Sequence, residues 1–177
     1  MKSIKIFAFV LLSFFALNTH AQMHIGATIG AQVPMGDFGD AMNPGFGINF
    51  FGKYSLNESM AVGLNVGYHS FGSDLEGFSC TMMPVTGLFE YYLGSGAMKP
   101  YLGVDLGFYK YSFDMEYLGI SSSVSETYLG FAPTGGILYG LNDKMSLVAN
   151  LKYNVVLSED SSTGYLGINA GLVFQIK

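Results

Sequence analysis

Two copies of one alternating stretch constrain the fold of this chain more than any other feature. Residues 54–68 and 139–153 are identical at six of fifteen positions, and each reads Tyr-x-Leu-Asn-acid-x-Met followed by alternation to a closing Tyr. Because successive strand residues point to opposite faces, the second copy places Leu147 and Leu151 on one face and Asn150 on the other. About 11 residues separate the turn from the closing Tyr, which is the length that a tilted strand needs to cross a bilayer. The stretch therefore predicts membrane-crossing β-hairpins.

The N-terminal segment has the pattern of a signal peptide. Lys2 and Lys5 precede an apolar run over residues 6–17, and this run is too short to span a membrane. Small residues in the last positions favour cleavage between Ala21 and Gln22. The predicted organisation is a signal peptide at 1–21 and one β-barrel domain at 22–177.

The composition distinguishes this chain from soluble exported proteins. Half of its residues are hydrophobic, only 12% are charged and 24 are Gly, whereas about a quarter of a soluble domain is charged. After the N-terminal segment, no apolar run approaches the roughly 18 residues of a transmembrane helix. An exported chain of this kind, rich in Gly and Tyr, is typical of a transmembrane β-barrel. All eight basic residues are Lys and the net charge is −5, so the basic surface of a nucleic-acid-binding protein is absent.

Eight strands are predicted, with connections that alternate between long and short. Together with the even strand number, this indicates an all-β, eight-stranded antiparallel up-and-down transmembrane β-barrel with both termini in the periplasm. Pro84 and Pro133 fall inside strands, where each should mark a β-bulge or a locally broken ladder. The predicted strands are 23–33, 45–56, 59–71, 80–93, 99–113, 125–141, 144–157 and 164–176. The predicted long loops, which carry acidic clusters, are 34–44, 72–79, 114–123 and 158–163.

The polar face of these strands indicates which side of the barrel meets lipid. A soluble ligand-carrying barrel would point its apolar face inward and carry many Lys and Glu outside. Here the polar face consists mainly of Gly, Asn, Thr and Ser, which suit the narrow interior of an eight-stranded barrel. We therefore expect apolar side chains in lipid and small polar side chains in the lumen. A soluble exported ligand-binding β-barrel remains the second alternative.

A few charged residues fall on the predicted lumen face. Lys53 and Glu90 lie near the periplasmic turns, and Asp105 and Lys152 lie near mid-strand. Isolated charges in a narrow lumen of low dielectric would be costly, so we predict the pairs Lys53–Glu90 and Asp105–Lys152. Such groups either fill the barrel or gate a narrow pore. The predicted lumen polar network comprises Lys53, Asn65, Glu90, Asp105, Asn150 and Lys152.

Several short motifs of the chain are shared with one family of barrels. These are Tyr-x-Leu-x-acid-x-Met at 54–60 and 139–145, Pro84 through Tyr91-Tyr92, Lys-Pro-Tyr-x-Gly-x-x-x-Gly at 99–107, and Gly135-Gly136 before Tyr139. With these motifs the chain resembles the small porin-like family of eight-stranded outer-membrane β-barrel proteins, in the broad OmpA-like and OmpX-like class, over nearly all of residues 22–177. The resemblance implies a barrel in the outer membrane of a Gram-negative cell, but no single activity. Such barrels usually end on an aromatic residue, whereas this chain ends Ile176-Lys177.

No catalytic, cofactor-binding or metal site is predicted. His69 and Ser70 are adjacent and therefore point to opposite faces of a strand, and no Gly-x-Ser-x-Gly motif occurs. His69 is expected to be a polar residue of the lumen or rim. Cys80 has no second Cys for a disulfide or a zinc site, and no calcium-loop spacing is present.

The expected role is structural or surface-interacting, with a narrow passive porin-like channel as the alternative. We do not expect an enzyme. The expected partners are outer-membrane lipids, the periplasmic chaperones and barrel-assembly machinery that act during biogenesis, and an extracellular partner of the acidic loops. No nucleic acid and no cofactor is expected.

Overall fold

A computed structural model of the chain describes residues 22–73, 78–117, 120–158 and 162–176. The predicted signal peptide at 1–21 lies outside the described residues. The elements are β1 (Met23–Met35), α1 (Asp37–Ala41), β2 (Asn43–Ser55), β3 (Met60–Gly72), β4 (Phe78–Tyr92), β5 (Met98–Tyr117), β6 (Ile120–Asn142), β7 (Met145–Leu157) and β8 (Ser162–Ile176).

The eight strands form a closed antiparallel barrel in which each strand pairs with its neighbours in chain order. The barrel closes between β1 and β8, whose register begins with Met23 opposite Ile176. The predicted fold class and strand order are therefore confirmed. Within the described residues, no helix is long and apolar enough to span a membrane.

The alternation of the sequence becomes an apolar outer face and a polar inner face. The exposed fraction is 62% for Ile29, 70% for Leu64 and 65% for Leu106, whereas Asn49 and Asn169 are buried. This is the reverse of a soluble ligand-carrying barrel, in which the apolar face would be enclosed. The outer face thus presents aliphatic and aromatic side chains in the arrangement that lipid requires.

Both internal prolines interrupt a ladder without changing its register. The ladder between β3 and β4 skips Met83 and Pro84, and the ladder between β6 and β7 skips Ala132 and Pro133. Each proline keeps its partner on the other neighbouring strand. Of the two expected outcomes, the locally broken ladder is the one present, because proline removes one donor but fits an extended backbone.

Two predicted loops contain regular structure. The stretch 114–123, predicted as a loop, is the upper part of a hairpin in which β5 continues to Tyr117 and β6 begins at Ile120. This part of the hairpin extends beyond Leu157, the last residue of the neighbouring strand β7. The first loop contains the short helix α1, which follows Gly36 at a positive φ of 59°. The predicted 158–163 loop is also shorter than expected, because β8 already begins at Ser162.

Candidate functional site

The six predicted lumen residues all lie on the inner face of the barrel. Five of them are buried and Asn150 is half-buried. The structure joins them through ion pairs and hydrogen bonds in two layers, one near the short turns and one at mid-height. The end with the short turns is named periplasmic and the opposite end extracellular below, after the orientation that the sequence predicts.

The periplasmic layer is centred on a buried ion pair. Lys53 Nζ donates to Glu90 Oε2 at 2.7 Å and to Oε1 at 3.0 Å. The hydroxyl of Tyr92 donates to Glu90 Oε2 at 2.7 Å. Lys53 Nζ also lies over two aromatic rings, 4.8 Å from the centroid of Phe51 and 5.7 Å from that of Tyr101. The pairing predicted for Lys53 and Glu90 is therefore present, and the aromatic rings add cation–π contacts to it.

The middle layer contains the second ion pair. Lys152 Nζ donates to Asp105 Oδ2 at 2.7 Å, and Thr86 Oγ1 donates to the same oxygen at 3.2 Å. Asn65 Nδ2 reaches Thr86 Oγ1 at 3.4 Å. The pairing predicted for Asp105 and Lys152 is thus also present. The alternation of the sequence identified the charged residues of this layer. It did not identify Thr86 as the bridge between Asn65 and Asp105, because that contact depends on the register between neighbouring strands.

A chain of amides continues the middle layer towards the extracellular side. Asn169 Nδ2 donates to Asn150 Oδ1 at 3.0 Å, and Gln32 Nε2 donates to Asn169 Oδ1 at 2.9 Å. Asn150 Nδ2 donates to the hydroxyl of Tyr101 at 3.3 Å. Gln32 and Asn169 are both buried, and the sequence did not identify them as members of this network.

His69 belongs to the polar interior, as expected. Its Nδ1 lies 2.8 Å from the hydroxyl of Tyr165, and its Nε2 lies 3.1 Å from Asn49 Oδ1. The adjacent Ser70 is on the opposite face of β3. His69 is therefore held by a phenol and an amide, which differs from the Ser–His and Cys–His pairs of hydrolases.

A layer of aromatic side chains occupies the extracellular end of the lumen. Phe38 of α1 makes edge contacts with Phe71, at 5.1 Å between ring centroids, and with Tyr111, at 6.2 Å. Phe71 in turn contacts Tyr165 at 5.2 Å. These rings form one buried cluster with Met82 and its neighbours. Because Phe38 is on a helix between β1 and β2, the first extracellular connection folds over the barrel mouth. This lid was not apparent from the sequence.

The internal spaces differ greatly in size along the barrel axis. A vestibule of about 850 Å³ opens at the periplasmic turns. The space between the two ion-pair layers is only about 20 Å³, which is room for a single water molecule. A third cavity of about 190 Å³ lies on the inner side of the protruding β5–β6 hairpin. The wide vestibule therefore narrows to the polar network.

Among the described residues, no group of three or more His, Cys, Asp or Glu side chains is arranged to hold a metal ion. Cys80 is buried and forms no disulfide within the part of the chain that the structure describes.

Known proteins share this architecture. A family model described as outer membrane protein beta-barrel domain matches residues 7–174. An uncharacterized protein of Haemophilus influenzae is 24% identical over 181 residues, which cover 96% of this chain and 98% of that protein. The crystal structure of Neisserial surface protein A matches with a TM-score of 0.69 at 18% identity, covering 88% of this chain and 99% of that one. The crystal structure of Ail, the attachment invasion locus protein of Yersinia pestis, in complex with the heparin analogue sucrose octasulfate, matches with a TM-score of 0.54 at 19% identity, covering 87% and 97%.

Proposed function

Because the chain belongs to the outer membrane protein beta-barrel domain family, we propose that it lies in the outer membrane as an occluded barrel and acts through its extracellular surface. By occluded we mean that side chains fill the lumen. The proposal includes contact of the apolar outer face with outer-membrane lipids, and export by the signal peptide with cleavage after Ala21. Insertion would then use the periplasmic chaperones and barrel-assembly machinery that fold such barrels.

The observation that carries this proposal is the filling of the lumen at three successive levels. The ion pair of Lys53 with Glu90, the ion pair of Lys152 with Asp105 and the aromatic layer around Phe38 follow one another from the periplasm outward. An ion that crossed the barrel would have to separate both pairs and displace the aromatic rings. Separating a buried pair leaves uncompensated charges, which costs several kcal/mol for each pair.

The second candidate function, a narrow passive porin-like channel, is favoured by the vestibule. A space of about 850 Å³ opens at the periplasmic side and gives ions access to the charged layers. A channel requires the paired groups to exchange partners and open a continuous path. The space of about 20 Å³ between the layers supports the occluded barrel over the channel.

Single-channel recording of the refolded protein in planar bilayers separates the two functions. The occluded barrel predicts no discrete conductance steps for the natural sequence. A double variant, Phe38→Ala with Lys152→Ala, removes a ring from the lid and one ion pair, and serves as the positive control because it should show intermittent steps. Steady discrete conductance of the natural sequence would contradict the occluded barrel and support the channel.

The charge of the chain limits what the extracellular surface can bind. The Ail protein of Yersinia pestis was crystallised with a heparin analogue, which is a polyanion. The present chain has no Arg, and its Asp and Glu outnumber its Lys by 13 to 8. Like charges repel across an interface, so this surface suits a partner with basic side chains rather than a polyanion.

The location is tested by membrane fractionation. A folded barrel in the outer membrane should co-purify with that membrane, and should migrate faster on a detergent gel before boiling than after it. Recovery of the protein in the soluble periplasmic fraction would refute this part of the proposal.

A further inference from the structure

The wall of the periplasmic vestibule carries a group of basic side chains. His24 of β1 lies opposite Lys53 of β2 in one ladder and opposite Gln175 of β8 in the other. Lys99 of β5 lines the same space. The charges of Lys53 and Lys99 both act on His24, so the three basic groups lie within electrostatic range of one another. The wall therefore gathers basic groups from three different strands.

The alternation of the strands explains why these side chains point into the vestibule. Tyr101 follows Lys99 by two residues in β5 and is buried, and Val173 precedes Gln175 by two residues in β8 and is also buried. Residues two apart in a strand share a face, so Lys99 and Gln175 lie on the inner face. His24 shares that face because it is directly opposite Gln175.

The carboxylate nearest to this group is already engaged. Glu90 accepts hydrogen bonds from Lys53 Nζ and from the hydroxyl of Tyr92. Within the part of the chain that the structure describes, neither His24 nor Lys99 forms an ion pair. The half-buried ammonium of Lys99 therefore leaves an uncompensated positive charge on the wall.

The acidic residues that line the vestibule lie at its rim, not on its wall. Glu58 and Asp143 are in two of the short turns, and both are exposed. Lys144, which follows Asp143, is exposed in the same turn. Salt and water screen exposed charges strongly and partly buried charges much less. The rim acids therefore do not neutralise the wall.

The floor of the vestibule is apolar. It consists of a buried cluster and the partly buried side chains packed against it, which are Tyr101, Val148, Val173, Phe51, Tyr92 and Leu138. Leu138 and Val173 also line the vestibule itself. A cleft that combines one sign of charge with walls of low dielectric focuses the electric field and concentrates counter-ions. An anion that entered the vestibule would thus meet basic groups beside an apolar surface.

We propose that the vestibule binds a small organic anion, a carboxylate with an apolar body, from the periplasm. The ammonium of Lys99 and the ring of His24 would donate to the carboxylate, in bonds that its charge strengthens. The amide of Gln175 supplies a further donor, and the apolar body would lie against the floor. The volume of about 850 Å³ is within the range of small-molecule sites. The periplasmic source rests on the proposed orientation, but the binding is independent of whether the lumen conducts.

The test uses the full refolded chain in lipid nanodiscs, with benzoate as the probe and benzamide as its neutral isostere. Binding is measured from the shifts of assigned backbone amide signals during titration. We expect benzoate to shift the amides of His24 and Lys99, and to bind at least about fivefold more tightly than benzamide. Inorganic phosphate, which has charge but no apolar body, should bind more weakly than benzoate.

Two lysine variants separate the wall from the rim. Lys99→Met removes the unpaired charge, keeps a side chain of similar length and should weaken benzoate binding at least about fivefold. Lys144→Met is the matched control, because Lys144 lines the same vestibule but is exposed in a turn, and it should change binding less than about twofold. Neither lysine belongs to the two buried ion pairs, and unchanged amide signals of β7 show that each variant is folded.

The inference is overturned if benzoate and benzamide bind alike, or if phosphate binds as tightly as benzoate. It is also overturned if Lys99→Met and Lys144→Met have the same effect. Conductance is not measured in this titration, so its failure is distinguishable from a failure of the occluded barrel.

Discussion

Removal of the cation from the middle ion pair should strongly destabilise the barrel. In Lys152→Met the carboxylate of Asp105 loses a partner at 2.7 Å and keeps one hydrogen bond, from Thr86 at 3.2 Å. The attraction between unit charges at that distance is about 6 kcal/mol at an effective dielectric of 20. Part of this is offset because a buried ammonium no longer has to be desolvated. A net loss of about 3–5 kcal/mol in the free energy of unfolding is expected.

The free energy of unfolding is measured by reversible urea unfolding in thin lipid bilayers. Unfolding is monitored by tyrosine fluorescence, since the chain has no Trp, or by gel migration. Lys144→Met is the matched control, because Lys144 is exposed in a periplasmic turn and should cost less than about 0.5 kcal/mol. The double variant Lys152→Met with Asp105→Asn removes both charges and should recover most of the loss. A cost below about 1 kcal/mol for Lys152→Met, or a double variant no more stable than Lys152→Met alone, would show that Asp105 does not depend on Lys152 to compensate its charge.

Two further substitutions test the packing of the barrel, each with its own control. Phe38→Ala should free the first extracellular connection from the barrel mouth and make it sensitive to limited proteolysis, while Leu64→Ala on the lipid face should leave its cleavage unchanged. Protection of the connection in Phe38→Ala would show that the ring does not hold the lid. Gly30→Ala would bring a methyl group against the backbone carbonyl of Ile168 in β8, so the seam between β1 and β8 should open and refolding yield should fall severely. Gly52→Ala meets no atom within 4 Å and should refold normally; equal yields for the two would contradict the tight seam.

The barrel was predictable because one periodicity runs through all of its strands. Residues 145–155 alternate without a break, and a closed sheet with lipid outside and a narrow interior admits few other arrangements. The ion pairs followed from the same argument, since Lys53 and Glu90 both lie on the lumen face near the short turns. Proline chemistry likewise predicted the interrupted ladders.

The extracellular end was less predictable because its structure depends on contacts between distant parts of the chain. Above the membrane both faces of a strand meet water, so the contrast that marks a strand in lipid is lost, and 114–123 was predicted as a loop. The lid depends on Phe38 meeting Phe71 and Tyr111, which come from three separate elements. A short helix between Gly36 and Pro44 gives no periodic signal of its own.

Site-directed spin labelling along β7 determines which face of the strand meets lipid. With Cys80 replaced by Ala, a nitroxide is attached in turn to single cysteines at positions 147–153, and its accessibility to oxygen and to a water-soluble nickel complex is measured in bilayers. Labels replacing Leu147, Leu151 and Tyr153 should be accessible to oxygen in the lipid, and labels replacing Asn150 and Lys152 should be shielded from oxygen. An inverted alternation, with position 151 shielded and position 150 in lipid, would contradict a barrel whose apolar face meets lipid and whose polar face is enclosed.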